Sequence, residues 1–234
     1  MKHVFYLSSI LFTYISCHTN TTENKILPTT SDTIFIFKDK NLGSQQSICI
    51  DHNKNSVDYK KVSYFNYSDD ETYSFSYNKL KEEGVTFQSQ KPVLETKNWI
   101  QLHLYKNDYY VYKSCDFFNQ QIAINDTALV NWTMEGAFAN KIVSQKKEDS
   151  NKYEFELKGS EDWKIKIYII DENKKIAIFE ETYMNEKPIY SLMTDANTVN
   201  QFSIIVNNCE HHKQSELDFD TINFLELLKK NGFK

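Results

Sequence analysis

The sequence predicts a mainly β protein: an antiparallel meander that forms a strongly curved sheet or an up-and-down barrel, with a C-terminal α-helix. Three observations carry that prediction. From Thr33 onward, short aromatic and β-branched segments alternate with clusters of Asn, Asp, Gly and Lys, the pattern of strands joined by tight turns. Successive segments are a few residues apart, which suits hairpins and leaves no length for the helical crossovers that parallel strands require. Sustained helical periodicity is concentrated at the end of the chain.

Taken in order, "TYSFSY" alternates Tyr73, Phe75 and Tyr77 with Thr72, Ser74 and Ser76. It reads as a strand paired with "KVSYFNY" across residues 68–71. "WIQLHLY" returns as "YYVYKS" across Lys106, Asn107 and Asp108, and "QQIAIN" returns as "ALVNWT". "DWKIKIYII" places Trp163, Ile165, Ile167 and Ile169 on one face and turns into "KIAIFEETY", followed by "PIYSLMT" and "QFSIIVNNC". Closing the sheet removes its edges; only five glycines are few for the kinks of a tight barrel, so an open curved sheet or a sandwich is the alternative. "DTINFLELLKKNG" predicts a helix over about residues 218–231, with Asp220 as N-cap and Ile222, Leu225 and Leu228 at helical spacing. "NKLKEEG", residues 78–84, is a second, shorter helical candidate.

The N-terminus has its own logic. A basic start at Lys2 precedes an apolar run from Val4 to Ile15, too short to span a bilayer, which takes roughly 20 residues, but suited to the core of an export signal. The run ends in Tyr14-Ile15-Ser16-Cys17, and here the chain resembles bacterial lipoproteins, whose lipobox precedes an acylated cysteine. The resemblance covers residues 1–17 and implies a signal peptide over 1–16 and lipid attachment, palmitate-type acylation included, at Cys17. It also implies a place in the bacterial cell envelope, on the outer membrane or the periplasmic face. Residues 17–32, rich in Thr, Asn and Ser, then read as a lipidated N-terminus and flexible spacer. Residues 33–234 read as a single β-rich domain.

Composition narrows the function. The chain carries a net charge of −5, has no basic block and contains no arginine, all 27 basic residues being lysines. Nucleic acid is therefore excluded as a partner, since its binding rests on neutralising phosphates. Three cysteines follow Cys17, namely Cys49, Cys115 and Cys209; in an oxidising compartment they permit one disulfide and one free thiol, with the pairing open. "CEHH", with Cys209, His211 and His212, is the one stretch with metal-ligand chemistry, and "CIDH", residues 49–52, echoes it. The default reading of the first is a solvated loop after the last strand.

Serine-hydrolase, zincin and nucleotide-binding motifs are absent from the sequence, so no catalytic residue or cofactor is assigned. With aromatics at 15% and many of them on strands, the sequence points to a non-enzymatic binding or structural module. It would be held to the membrane by its lipid and would face an envelope protein or a glycan. The alternatives are a glycan hydrolase using two unidentified carboxylates and a lipocalin-like carrier with an open apolar lumen.

Overall fold

Hydrogen bonding along the two edges of one strand decides the architecture of the computed structural model, which describes residues 33–38, 46–115, 120–184, 186–209 and 216–233. The described strands are β1 (Thr33–Lys38), β2 (Ser47–Asp51), β3 (Asn98–Tyr105), β4 (Asp108–Lys113), β5 (Gln121–Ile124) and β6 (Ala128–Thr133). They continue with β7 (Gly136–Asp149), β8 (Lys152–Lys158), β9 (Asp162–Asp171), β10 (Ile176–Tyr183), β11 (Ile189–Asp195) and β12 (Ser203–Asn208). One edge of β3 pairs with β11, from Trp99↔Asp195 to Leu102↔Leu192. The other edge is shared: Asn98–Ile100 pair with β5, and residues 102–105 pair with β4. The β5 pairing closes β3-β11-β10-β9-β8-β7-β6-β5 into an eight-stranded antiparallel barrel. The β4 pairing carries β4, β12, β2 and β1 away from it as an extension.

The predicted class therefore stands, and the hairpins β3–β4, β5–β6 and β9–β10 fall where sequence places them. At the first, Lys106 and Asn107 both adopt positive φ (50° and 69°), the geometry of a two-residue hairpin turn. Among the described residues no glycine interrupts a barrel strand after its first residue. Register shifts at Ile142/Ser144, Lys147/Asp149 and Ile176/Ala177 supply extra bend and twist instead. One pairing departs from the meander: β12 lies parallel to β4, because the 3-10 segment Ala196–Gln201 carries the chain from β11 past β3 before it re-enters the sheet.

Two further expectations are corrected. "TYSFSY" is not a strand but the first half of a helix, α2 (Glu71–Glu82), which runs on through most of the "NKLKEEG" segment. Asp70 caps it, its carboxylate accepting from the amides of Thr72 (2.8 Å) and Tyr73 (3.2 Å). The covered positions are Thr72, Tyr73, Ser76, Tyr77 and Leu80, a 3.6-residue period, and Phe75 is 69% exposed. "KVSYFNY" likewise begins at the end of a short helix, α1 (Val57–Val62), and ends in a 3-10 turn, Tyr67–Asp69.

The C-terminal helix, α3, is shorter than predicted, Phe224–Lys230, with Asn223 rather than Asp220 as its cap. Residues 218–223 are held outside the helix by tertiary contacts: the Asp220 amide donates to the Leu104 carbonyl at 2.9 Å, and Phe219 stacks on His103. The stretch from Thr133 to Asp162, where sequence reading names no strand, holds β7 and β8.

Alternation then builds two cores from one sheet. Inward residues of the barrel, among them Trp99, Ile122, Leu129, Phe155, Leu157, Ile165, Ile167 and Phe179, fill the lumen. The ring of Trp99 meets Phe179 edge-on at 5.1 Å. Outward residues of β3, β9, β10, β11 and β12 form a second core with α1 and α3, in which Phe233 meets Tyr168 and Phe224 stacks on Tyr190. Among the described residues no helix is long and apolar enough to cross a membrane. Residues 1–16, Cys17 and the spacer over 17–32 lie outside the described residues.

Truncating Phe179 to Ala should cost about 3–5 kcal/mol of unfolding free energy, as a fully buried lumen aromatic. Phe75→Ala should change it by less than about 0.5 kcal/mol, because that ring faces water rather than a strand core. Urea unfolding of the two variants measures both.

Candidate functional site

Strand β7 is longer than its neighbours, and its pairing is staggered. Residues 136–141 bond to β6, whereas the pairing with β8 begins only at Lys141↔Lys158. The first part of β7 therefore has an edge without a strand, and α2 covers it. Ser76 Oγ accepts from the Ala139 amide at 3.0 Å, Asp70 Oδ1 accepts from the Ala137 amide at 3.4 Å, and the Thr72 hydroxyl donates to the Glu135 carbonyl at 3.3 Å. Gly136 has φ +117°, and a Cβ there would overlap the Thr72 side chain, so glycine is what lets the helix sit this close.

Between α2, the β7 edge and the β8–β9 turn the barrel opens into a lateral cleft of about 550 Å³. Its floor is made by Asn131, Phe138, Asn140, Trp163 and Tyr183. Trp163 stacks on Tyr183, with ring centroids 5.2 Å apart and planes 12° apart. Asn140 fixes the indole: its Oδ1 accepts from Trp163 Nε1 at 3.0 Å, and its amide nitrogen donates to the carbonyls of Leu129 and Phe138. A Cβ on Gly159 would overlap that same Oδ1, so the Asn140–Trp163 bond depends on the absence of a side chain at 159. The rim is acidic, with Glu83, Glu135, Glu161 and Glu186 set against a single cation, Lys79.

Behind Tyr183 sits a carboxyl inside the barrel. Glu181 is 5% exposed. Its Oε1 accepts from Gln120 Nε2 at 2.8 Å and its Oε2 accepts from the Tyr183 hydroxyl at 3.2 Å. Burial holds its pKa above the ordinary carboxylate value, and the two hydrogen bonds offset part of that rise. The Tyr183 phenol is pushed upward as well, by burial first and then by Glu181, with Glu161 and Glu186 adding to it. On the strands around this mouth, Trp99 Nε1, Asn131 Oδ1 and Ser191 Oγ are buried polar atoms without a hydrogen-bond partner among the described residues.

The residues singled out from sequence lie elsewhere. Cys209 is bonded to Cys115, Cα atoms 5.7 Å apart, tying the end of β12 to the end of β4. That bond removes its thiolate from metal ligation; His211 and His212 lie outside the described residues. The "CIDH" echo is on β2, adjacent to β12, but Cys49 faces Val206 across the ladder and is a free, buried thiol whose pKa burial raises. His52 instead pairs with the Ser203 hydroxyl at 2.7 Å. No group of three or more metal-ligating side chains occurs among the described residues. Sequence reading passed over Glu181. Its signal was an acid at an inward position of "KIAIFEETY", on the face that carries Ala177 and Phe179.

Comparison with known proteins adds no assignment: no family model matches the chain, and neither a curated protein nor a solved structure matches it significantly.

Because folding raises the Glu181 pKa, its neutral form stabilises the native state below the ordinary carboxylate value of 4.5. That contribution is lost as pH rises through the folded-state pKa. Glu181→Gln removes the titration, so the stability of the variant relative to the parent should increase between pH 4 and pH 7 in denaturation curves at fixed salt. A pH-independent difference would contradict the buried, raised carboxyl.

Proposed function

We propose that this chain is an exported binding module, tethered to a bacterial envelope membrane through lipid on Cys17, that takes a small ligand in the lateral cleft. The observation carrying this reading is the cleft itself: about 550 Å³, walled by the stacked Trp163 and Tyr183 and by Phe138, with fixed polar groups beside them. Concave sites of this size with aromatic walls and a few oriented polar atoms suit small ligands. The lipid tether rests on the sequence Tyr14-Ile15-Ser16-Cys17 after an export-type apolar run.

The cleft favours this reading over its rivals. A lipocalin-like carrier holds its ligand in the lumen, but here the middle of the lumen is taken by Trp99, Phe155, Phe179 and the aliphatic residues around them. A glycan hydrolase needs a carboxyl of raised pKa facing the substrate to protonate the leaving group. Glu181, whose pKa burial raises, is not part of the cleft surface and bonds to Tyr183, which is.

Two measurements test the halves of this reading. The intact mass of full-length product from the membrane fraction of an expressing bacterium should equal residues 17–234 plus a diacylglycerol and an acyl chain; a lipid-free soluble chain would remove the tether. For the cleft, the Trp163 indole resonance, identified through Trp163→Phe, should move saturably when small ring- and chain-bearing ligands are titrated in. Phe138→Lys, a positive charge placed on the cleft floor, should abolish that movement. A panel of neutral sugars, alcohols and amines that leaves the resonance unmoved would overturn cleft binding.

A further inference from the structure

The polar atoms of the cleft divide unevenly between donors and acceptors. Its buried donors are committed inside the protein: Trp163 Nε1 to Asn140, the Asn140 amide to two backbone carbonyls, Ser76 Oγ to the Tyr73 carbonyl, and the Tyr183 hydroxyl to Glu181. Beyond the Lys79 ammonium, the Ser160 hydroxyl and the Asn131 side-chain nitrogen, what remains is acceptors, with four glutamates against that one lysine. Asn131 Oδ1 is buried in the cleft floor without a partner among the described residues. The carboxylates of Glu135, Glu161 and Glu186 form no ion pair among the described residues.

This imbalance is specific to the site and does not follow from the acidity of the chain. A neighbouring depression of about 560 Å³ on the other side of Trp163 and Tyr183 is also charged, but its charges cancel locally. Lys164 pairs with Glu156 at 2.7 Å and Lys158 with Asp162 at 3.5 Å.

We infer that the ligand of the lateral cleft presents a primary ammonium group on an apolar chain, an inference that rests on the cleft-binding reading. An ammonium has three donors and no acceptor, the complement of what the cleft leaves open. Aromatic faces add cation–π attraction. The carbon chain meets Phe75, Leu80 and Ile189, apolar side chains of the same cleft. A neutral sugar, with acceptors as numerous as its donors, matches this wall poorly. The ammonium can come from a free alkylamine or from a lysine side chain of a peptide; the chemistry at the wall is the same.

The test titrates the full mature chain with n-hexylammonium, 1-hexanol and hexanoate at fixed ionic strength, read on the Trp163 indole resonance. Hexylammonium should saturate the shift with a Kd about tenfold below that of hexanol, and hexanoate should not bind. Glu161→Gln/Glu186→Gln, at two exposed positions that leave the core untouched, should weaken hexylammonium about tenfold and leave hexanol unchanged. Nα-acetyl-lysine N-methylamide distinguishes the sources: tighter binding than hexylammonium assigns a peptide, weaker binding a free amine, and either order supports the inference provided both bind better than hexanol. Hexanol binding as tightly as hexylammonium, or a double variant without effect on the amine, would overturn the ammonium inference while leaving cleft binding in place. Silence toward every probe would overturn both.

Discussion

Backbone pairing at the first half of β3 is the constraint on which the rest of this protein depends. Over Asn98–Ile100 the strand is bonded on one side to β5 and, from Trp99, on the other to β11, so eight strands close into a ring. A ring of this size has an interior just wide enough for side chains to fill. The inward apolar residues fill it to the point where Trp99, Phe155, Phe179, Ile165 and Ile167 are fully buried. Closure also makes the outer face continuous, and that face anchors α3 and the terminal segment. An open sheet would leave the β5 and β3 edges as unpaired ladders available for aggregation.

A filled lumen pushes any ligand to the surface, and the stagger between β7 and β8 decides where. The unpaired start of β7 needs partners for its amides, and α2 supplies them through Ser76 and Asp70. The same helix forms one wall of the cleft. Two glycines make the arrangement sterically possible, Gly136 beneath α2 and Gly159 beside Asn140. Fold and site are therefore not separable here: the side chains that satisfy the edge of β7 are the ones that shape the cleft.

The sequence carried much of this, and its failures have physical causes. The hairpins at Lys106-Asn107 and between β9 and β10 were legible because their signals are local, a two-residue period and turn residues. "TYSFSY" reads as a strand because its apolar residues satisfy a two-residue period on their own, while the helix is decided by the Asp70 cap and by contacts with β7. Strand β7 was passed over because its second half, Ser144 to Asp149, is polar and held by pairing with β8 rather than by an apolar face. Glu181 was visible as an inward acid, but its meaning lies in Gln120, 61 residues away, and in Tyr183. The Cys115–Cys209 pairing required strand order, which no spacing reveals.

Barrel closure is the claim most exposed to a single measurement, native-state hydrogen exchange at the seam. The Ile124 amide donates to the Lys97 carbonyl at 2.7 Å and the Gln101 amide to the Gln120 carbonyl at 3.1 Å, both across the β3–β5 junction. In a closed barrel these amides exchange only through opening events approaching global unfolding, with protection matching that of the central β9–β10 ladder. Exchange at the rate of a fraying edge strand, with β9–β10 still protected, would mean that the sheet is open and that the filled lumen and the lateral cleft are misassigned.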